Sequence, residues 1–319
     1  MKFSILIPAF KDTFIKECID SCLAQTYNNF EIIIANDHSP YDLDSIILEY
    51  SNNKHLKYYK NEIGYGAEHL VDNWNHCLEY ATGDYVICIG DDDKLKPKCL
   101  EYYNTLITLH PDLDVYHMRM EIINEYSEVI AIQEERPDTE TVYSMIWNFW
   151  KGRRQVIGDW CFNRKTLNEN GGFINLPYGW SSDNITAFRL AMDKGVANFG
   201  IQGFQYIESS LSISSKQTPH VTIGKIKAWM IVDTWYQSFL NNTEPIEEND
   251  KKFKLNISNT LEKYINRKIE GELENGIHDF PYSPFEWLKV GKETNISISL
   301  IIRLYLRALK KKALKKPQQ

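Results

Sequence analysis

Three carboxylates in a row, Asp91, Asp92 and Asp93, follow an apolar run in the stretch YVICIGDDDKLKP (85–97). Charges this close repel one another, and the mouth of a buried strand does nothing to reward them. Adjacent acids on a loop leaving a strand project in different directions, so two can meet a cation while the third accepts hydrogen bonds. Hard carboxylate oxygens suit Mg²⁺ or Mn²⁺, which keep several waters and bind phosphates through one or two carboxylates. Such a cation would remove the repulsion, neutralise a diphosphate and stabilise its departure as a Lewis acid. Taken alone, the triplet also fits an ordinary solvated acidic turn.

The elements that must position these acids alternate between strand and helix over the first 120 residues. Residues 3–7 form a strand that Pro8 ends, and FEIIIA (30–35), LKYY (56–59), YVICI (85–89) and DVYHMRM (114–120) continue the series. Between them, Ile15, Cys18, Ile19, Cys22 and Leu23 fall on one helical face behind a cap at Asp12. Leu43, Ile46, Ile47 and Tyr50 mark a second helix. Leu70, Val71, Trp74, Leu78 and Ala81 mark a third, and a fourth opens at Pro97. Strands joined by helices imply right-handed crossovers and an α/β fold, a Rossmann-like, mostly parallel sheet flanked by helices. Ligands of such sheets bind beyond the carboxyl ends of the strands. Pro8-Ala9-Phe10, Asn36-Asp37 and Gly90 to Asp93 all lie at such ends. Three sites on one edge say more than any one of them.

Composition sets the outer limits. A chain of 319 residues, 43% hydrophobic and 13% aromatic, can bury a large core. Its net charge of −7 argues against broad nucleic-acid binding. Residues 303–316 hold seven basic residues and no acid, leaving −14 for the rest. The six cysteines sit in apolar stretches without a Cys-x-x-Cys, as buried reduced thiols do. The apolar run at the N-terminus is too short for a signal peptide, and no 18-residue apolar span exists, so a cytoplasmic protein is expected. Residues 121–225 read as less regular, and from about 226 the pattern is helical.

The segments FSILIPAF, SCLAQTYNNFEIIIANDHSP and NEIGYGAEHLVDNWNHCLEYATGDYVICIGDDDKLKP, in that order and spacing, resemble the nucleotide-sugar-binding half of family-two inverting glycosyltransferases of the GT-A fold. The resemblance covers roughly residues 2–110 and continues more weakly to about 195. It implies a GT-A domain over 1–225, with a donor half at 1–120 and an acceptor half at 121–225. A helical C-terminal region would follow at 226–319. It further implies that Pro8 and Phe10 line a base pocket, that Asp37 holds the base and that Asp91 meets the ribose. Asp92 and Asp93 would address a Mn²⁺ or Mg²⁺ ion on the diphosphate of a donor, most simply a UDP-sugar. The chain departs from the family pattern at three positions. Asn36 stands where a first Asp is common, and Gly90 where many members begin an Asp-x-Asp. Asn73, in DNWN, takes the place of an Arg that assists the nucleotide, so less positive charge would reach the diphosphate.

An inverting transfer also needs a base opposite the leaving group, from a segment other than the metal acids. GGFINLPYGWSSDNITAFRLAMDKG (171–195) resembles the family's acceptor segment, in which an Asp opens a helix and serves as that base. Asp183 takes this position, with Ser182 replacing the acid before it. Asp183 also suits a helix cap, and the two roles are compatible. His220 invites comparison with a late metal-ligating His of some enzymes of this fold, against the simpler reading of a surface-loop residue. His38 and His69 take no role. Trp160, Tyr178 and Trp180 would stack on a sugar or pack in the core.

In the tail, ISISLIIRLYLRALKKKALKK, Ile298, Ile301, Ile302, Tyr305, Leu306 and Leu309 lie near one helical face, with a lysine cluster after it. This fits either a helix on an anionic membrane surface or a terminal helix packed on the body. A lipid-linked saccharide acceptor would favour the former. Two rivals to a glycosyltransferase remain. A sugar nucleotidyltransferase would need a Gly-rich basic loop that PAFKDTF lacks, and an inactive carbohydrate-binding relative would have no use for the retained acids.

Overall fold

The computed structural model describes residues 1–209, 217–281 and 283–314, with the backbone alone at 309 and 311–314. The chain forms two compact units, Met1–Asn175 with Ser182–Ser209, and Leu176–Ser181 with Ser210–Gln319.

In the first unit one sheet of ten strands is built from β1 (Phe3–Ala9), β2 (Phe30–Asn36), β3 (Leu56–Lys60), β4 (Tyr85–Cys88), β5 (Lys94–Leu95), β6 (Val115–Ile123), β7 (Val129–Ile132), β8 (Thr139–Glu140), β9 (Trp160–Asn163) and β10 (Val196–Ile207). Their order is β3-β2-β1-β4-β9-β6-β10-β5, with β7 on β6 and β8 on β10. The β3-β2-β1-β4 half is parallel, as is the long β6/β10 pair, and β9 runs antiparallel between the two. The helices are α1 (Ile15–Leu23), α2 (Leu43–Leu48), α3 (Leu70–Glu79), α4 (Cys99–Leu109), α5 (Val142–Trp150), α6 (Arg164–Glu169) and α7 (Ser182–Leu190). β1 and β2 read as continuous apolar runs because a parallel strand is covered on both faces. Ile5, Ile7, Ile32 and Ile34 pack in one buried cluster with Cys18, Ile19 and Cys22 of α1 and with Leu100 and Tyr103 of α4. All six cysteines are free and buried.

Three local expectations change. Pro8 does not end β1, which runs on to Ala9. The Leu6 carbonyl accepts from the Ile89 amide on the β4 side, and the Ala9 carbonyl from Asp37 on the β2 side. Alternation therefore turns Pro8 toward β4, whose pairing has already stopped at Leu6, and its missing N–H costs nothing. Asp12 does not cap α1. The cap position is Phe14, with no side-chain bond. Finally, residues 121–207 hold more regular structure than expected, including α5 and the twelve-residue β10, between irregular loops.

The second unit is helical, with α8 (Pro219–Asn242), α9 (Glu248–Asp279), α10 (Pro284–Thr294) and α11 (Ile298–Leu314). Thr218 caps α8 by accepting from the Val221 amide at 3.3 Å, and Pro219 fits the first turn, where its missing donor is harmless. Ile226, Leu273, Ile277, Trp287, Ile301 and Leu304 form its core. α11 divides the apolar face read from the sequence. Ile301 and Leu304 are buried, whereas Ile298, Ile302 and Leu306 remain exposed. Arg303 and Arg307 reach Glu270 (3.8 Å) and Glu274 (2.9 Å) of α9. Lys315 and Lys316 of the basic cluster lie outside the described residues. Among the described residues no helix is long and apolar enough to cross a membrane.

Candidate active site

The carboxyl ends of β1, β2 and β4 are adjacent because these strands pair in register. The loops that leave them carry Phe10, Asp37 and Asp91 to Asp93.

The acid loop is pinned from two directions. Asp91 Oδ2 accepts the amides of Phe10 and Lys11, each at 2.7 Å. The Lys11 ammonium lies 3.3 Å from Asp91 Oδ1 and closer still to Asp92 Oδ2. Asp93 faces the opposite way. Its Oδ1 accepts the amide of Ile207, the last residue of β10, at 3.1 Å, and its Oδ2 accepts from Gly90 at 3.3 Å. Burial pushes the carboxyls of Asp91 and Asp93 up. Lys11 opposes the shift at Asp91, and the charge of Asp92 adds to it at Asp93. Gly90 lies under both side chains: a Cβ there would stand 2.8 Å from Asp92 Oδ1 and 3.0 Å from Asp93 Oδ2, so the two carboxylates would have to shift.

Asp37 organises the loop after β3. Its Oδ1 accepts the Tyr65 amide at 2.7 Å, and its Oδ2 the Gly66 amide at 2.9 Å. Gly66 has φ +73°, a conformation that glycine adopts without strain. Asn61 reaches Asp37 at 3.3 Å and donates to Asn73 Oδ1 at 3.0 Å, while Asn73 Nδ2 donates to the Ala35 carbonyl. Asn73 is buried and both ends of its amide are engaged. Asn36 donates to the Tyr58 hydroxyl at 2.7 Å and accepts from the Ser39 amide, so it shapes the turn rather than the mouth. Ser39 in turn donates to the Phe10 carbonyl at 2.6 Å. Pro8 is half-buried beneath this rim. Phe10 is exposed and meets the exposed Tyr41 edge-on, ring centres 6.3 Å apart.

Asp183 stands on the first turn of α7 in a separate group. Its Oδ1 accepts from both the amide and the side chain of Asn184 at 2.7 Å. Gln155 holds Asn184 from behind at 2.6 Å. Loss of hydration pushes the half-buried Asp183 carboxyl up to about 7, against the pull of those amides. Deeper still, Asp159 is fully buried and pushed up to about 8, with Arg136 opposing the shift. Its Oδ2 accepts from Gln133 at 2.9 Å, and its Oδ1 has no partner.

The aromatic candidates fare differently. Trp160 is fully buried, under Arg136 (5.2 Å) and beside His117, so it packs in the core and cannot stack on a sugar. In the helical unit Trp180 donates to Glu272 at 3.0 Å with Lys225 over its ring, and Tyr178 is buried. His220 lies on the first turn of α8, not in a loop, edge-on to Tyr178.

The carboxylate oxygens of Asp92 are hard donors of the kind Mg²⁺ and Mn²⁺ take, whereas both oxygens of Asp93 are engaged by backbone amides. Among the described residues no three metal-ligating side chains of His, Cys, Asp or Glu gather to hold one alone. A pair of carboxylates that leaves the remaining positions to diphosphate and water is the arrangement Mg²⁺ and Mn²⁺ favour.

Set against known proteins, the family described as glycosyl transferase family 2 matches residues 4–169, just over half of the chain, and the chain belongs to that family. Among curated relatives, UDP-Glc:alpha-D-GlcNAc-diphosphoundecaprenol beta-1,3-glucosyltransferase WfgD of Escherichia coli is 27% identical over 217 residues, covering 67% of this chain and 80% of that protein. Uncharacterized glycosyltransferases of Rickettsia typhi and Rickettsia prowazekii are each 33% identical over 113 residues, and the chain spans only 34% of their length. Among solved structures, Staphylococcus aureus TarS 1–349 in complex with UDP-GlcNAc superposes with a TM-score of 0.64 at 15% identity, covering 100% of this chain and 93% of that one. Mannosyltransferase PcManGT from Pyrobaculum calidifontis, in complex with GDP-Man and Mn²⁺, gives 0.54 at 12% identity, covering 99% and 88%. At such identities the likeness is one of fold. The mostly parallel sheet flanked by helices is the GT-A arrangement.

Proposed function

We propose that the protein is a metal-dependent inverting glycosyltransferase. It would move a sugar from a nucleotide-diphosphate sugar, a UDP-sugar in the first instance, to a hydroxyl of a saccharide or lipid-linked saccharide in cell-surface glycan synthesis. The observation that carries this reading is the seating of Asp91 to Asp93 at the joined carboxyl ends of β1 and β4, beside Phe10. The UDP-GlcNAc bound to TarS and the diphosphoundecaprenol acceptor in the name of WfgD support the donor and acceptor classes. The Mn²⁺ bound to PcManGT supports the cofactor.

In this reading Pro8 and Phe10 line the base site, and the exposed ring of Tyr41 adds a face the sequence did not suggest. Asp37 receives the base while holding the loop at 65–66. Asn73 acts on the nucleotide through Asn61 and Asp37. Asp91, fixed by two amides, meets the ribose. Asp92 and Asp93 would hold Mg²⁺ or Mn²⁺, which supplies Lewis-acid stabilisation of the leaving diphosphate. Asp183 takes the proton of the acceptor hydroxyl as its oxygen bonds to the anomeric carbon. The bond from that carbon to the phosphate oxygen breaks on the opposite side, its electron pair leaves with the nucleotide, and the configuration inverts. A base with a pKa about 7 is matched to neutral pH. The exposed apolar stripe of α11 with its lysines would place the enzyme on an anionic membrane surface, near a lipid-linked acceptor.

A panel of UDP- and GDP-sugars tests the reading. Slow release of nucleoside diphosphate from at least one donor is expected, dependent on Mn²⁺ or Mg²⁺ and lost in Asp92→Asn. No release from any donor, with or without divalent ions, would sink it.

A further inference from the structure

Lys11 is a residue the motifs did not single out, yet its ammonium touches both Asp91 and Asp92. We infer that Lys11 is a resident counter-ion of the acid loop, and that it yields Asp92 only when a divalent cation and a diphosphate arrive together. This rests on Asp92 and Asp93 being the metal acids proposed above.

The geometry separates what is fixed from what can move. The Lys11 backbone amide is locked to Asp91 Oδ2 at 2.7 Å, whereas its ammonium sits at the end of a flexible four-carbon stem. The side chain is 23% exposed, so the ammonium has a path outward. On the acid loop it is the cation that relieves repulsion between Asp91 and Asp92, because Asp93 is answered by backbone amides alone. The ammonium holds Asp92 Oδ2, so a metal ion taken up by either oxygen of Asp92 would lie beside that positive charge and be repelled by it. The ammonium must therefore leave, and the phosphate oxygens of the donor give it somewhere to go. Metal alone offers no such exchange. Metal and diphosphate binding should therefore be coupled, and the coupling must be reciprocal.

The test measures binding, not turnover. Mn²⁺ is titrated into wild-type protein, Lys11→Met and Lys11→Gln, each with and without UDP, following heat and the electron-spin signal of free Mn²⁺. Wild type should bind Mn²⁺ weakly alone and at least tenfold more tightly with UDP. Both variants should bind Mn²⁺ alone about tenfold more tightly than wild type, with the UDP enhancement reduced by a similar factor. Lys11→Gln keeps a stem and a polar end, so it gives the answer if the Met variant does not fold. Variants that bind Mn²⁺ alone no better than wild type would overturn the inference. Wild type that fails to bind Mn²⁺ even with UDP, or binds it equally as Asp92→Asn, would instead remove the metal assignment beneath it.

Discussion

Asp93 and Ile207 are joined by a buried hydrogen bond: the Ile207 amide donates to Asp93 Oδ1 at 3.1 Å across 114 residues of sequence. It ties the loop leaving β4 to the end of β10. Asp93 is thus a structural acid as well as a proposed ligand, and Asp92 beside it is not.

That difference is measurable. Asp93→Ala removes the acceptor of the Ile207 and Gly90 amides, and an unpaired buried donor costs about 1–3 kcal/mol. A loss of about 2–4 kcal/mol in unfolding free energy is expected, read as a clear drop in urea midpoint. Asp92 bonds to Lys11, which keeps Asp91 as a second partner when Asp92 is removed. Asp92→Ala should change stability by about 1 kcal/mol or less while abolishing metal-dependent nucleotide release. Equal stability losses in the two variants would refute this division.

As the proposed base, Asp183 would set the pH dependence. Its carboxyl must be ionised to accept a proton, and burial has raised its pKa to about 7. Below that pH, kcat/KM should fall about tenfold per unit, with a plateau above it. Asp183→Asn should lower kcat by about 10²- to 10⁴-fold and remove the acid limb. A wild-type profile flat from pH 5 to 8 would place the base elsewhere.

The parallel half of the fold was legible because burial on both strand faces writes continuous apolar runs, as in FEIIIAN, and α1 keeps a clean stripe. The second half hid its order for a physical reason. β10 carries Gly200 and Gly203, and its pairing with β6 shifts register between Phe199 and Phe204, so no period of two survives. α5, VYSMIWNFW, buries one face through Val142, Tyr143, Met145 and Ile146, but its aromatic residues continue round the helix and blur that stripe in the sequence. The acids of the site were visible as residue types. Their partners were not, since Lys11 meets Asp92 from 81 residues away and Tyr65 meets Asp37 from 28. For Trp160 the sequence left sugar stacking and core packing open, because it cannot tell a buried ring from an exposed one.

Asp159, buried within electrostatic reach of the proposed base Asp183, offers a separate test. Its pKa is raised to about 8, above the value near 3.9 of an unfolded chain. Between those values the folded state binds the extra proton, so this group's contribution to stability is lost as pH rises from 4 to 8, by up to ~1.4 kcal/mol per unit. The Asn side chain mimics the protonated acid, with its amide nitrogen at the unpartnered Oδ1. Asp159→Asn should match wild type in urea midpoint at pH 5 and exceed it at pH 8. A variant destabilised equally at both would mean that the acid is ionised throughout.

The exposed edge of α11 separates the two readings of the tail. Ile298, Ile302 and Leu306 repeat every four residues and stay exposed, while Ile301 and Leu304 of the same helix fill the core of the helical unit. Arg303 and Arg307 already face acids of α9, which leaves the sequence's lysines from Lys310 onward to meet a charged surface. Each such residue contributes about 1 kcal/mol near anionic lipid, and the apolar stripe adds its own burial. Ile302→Glu with Leu306→Glu should release the protein from phosphatidylglycerol vesicles with little change in its melting temperature. Leu304→Asp, which buries a charge, should unfold the helical unit instead. Vesicle binding unaffected by the double substitution, or absent in wild type at low salt, would leave α11 as a helix that only packs.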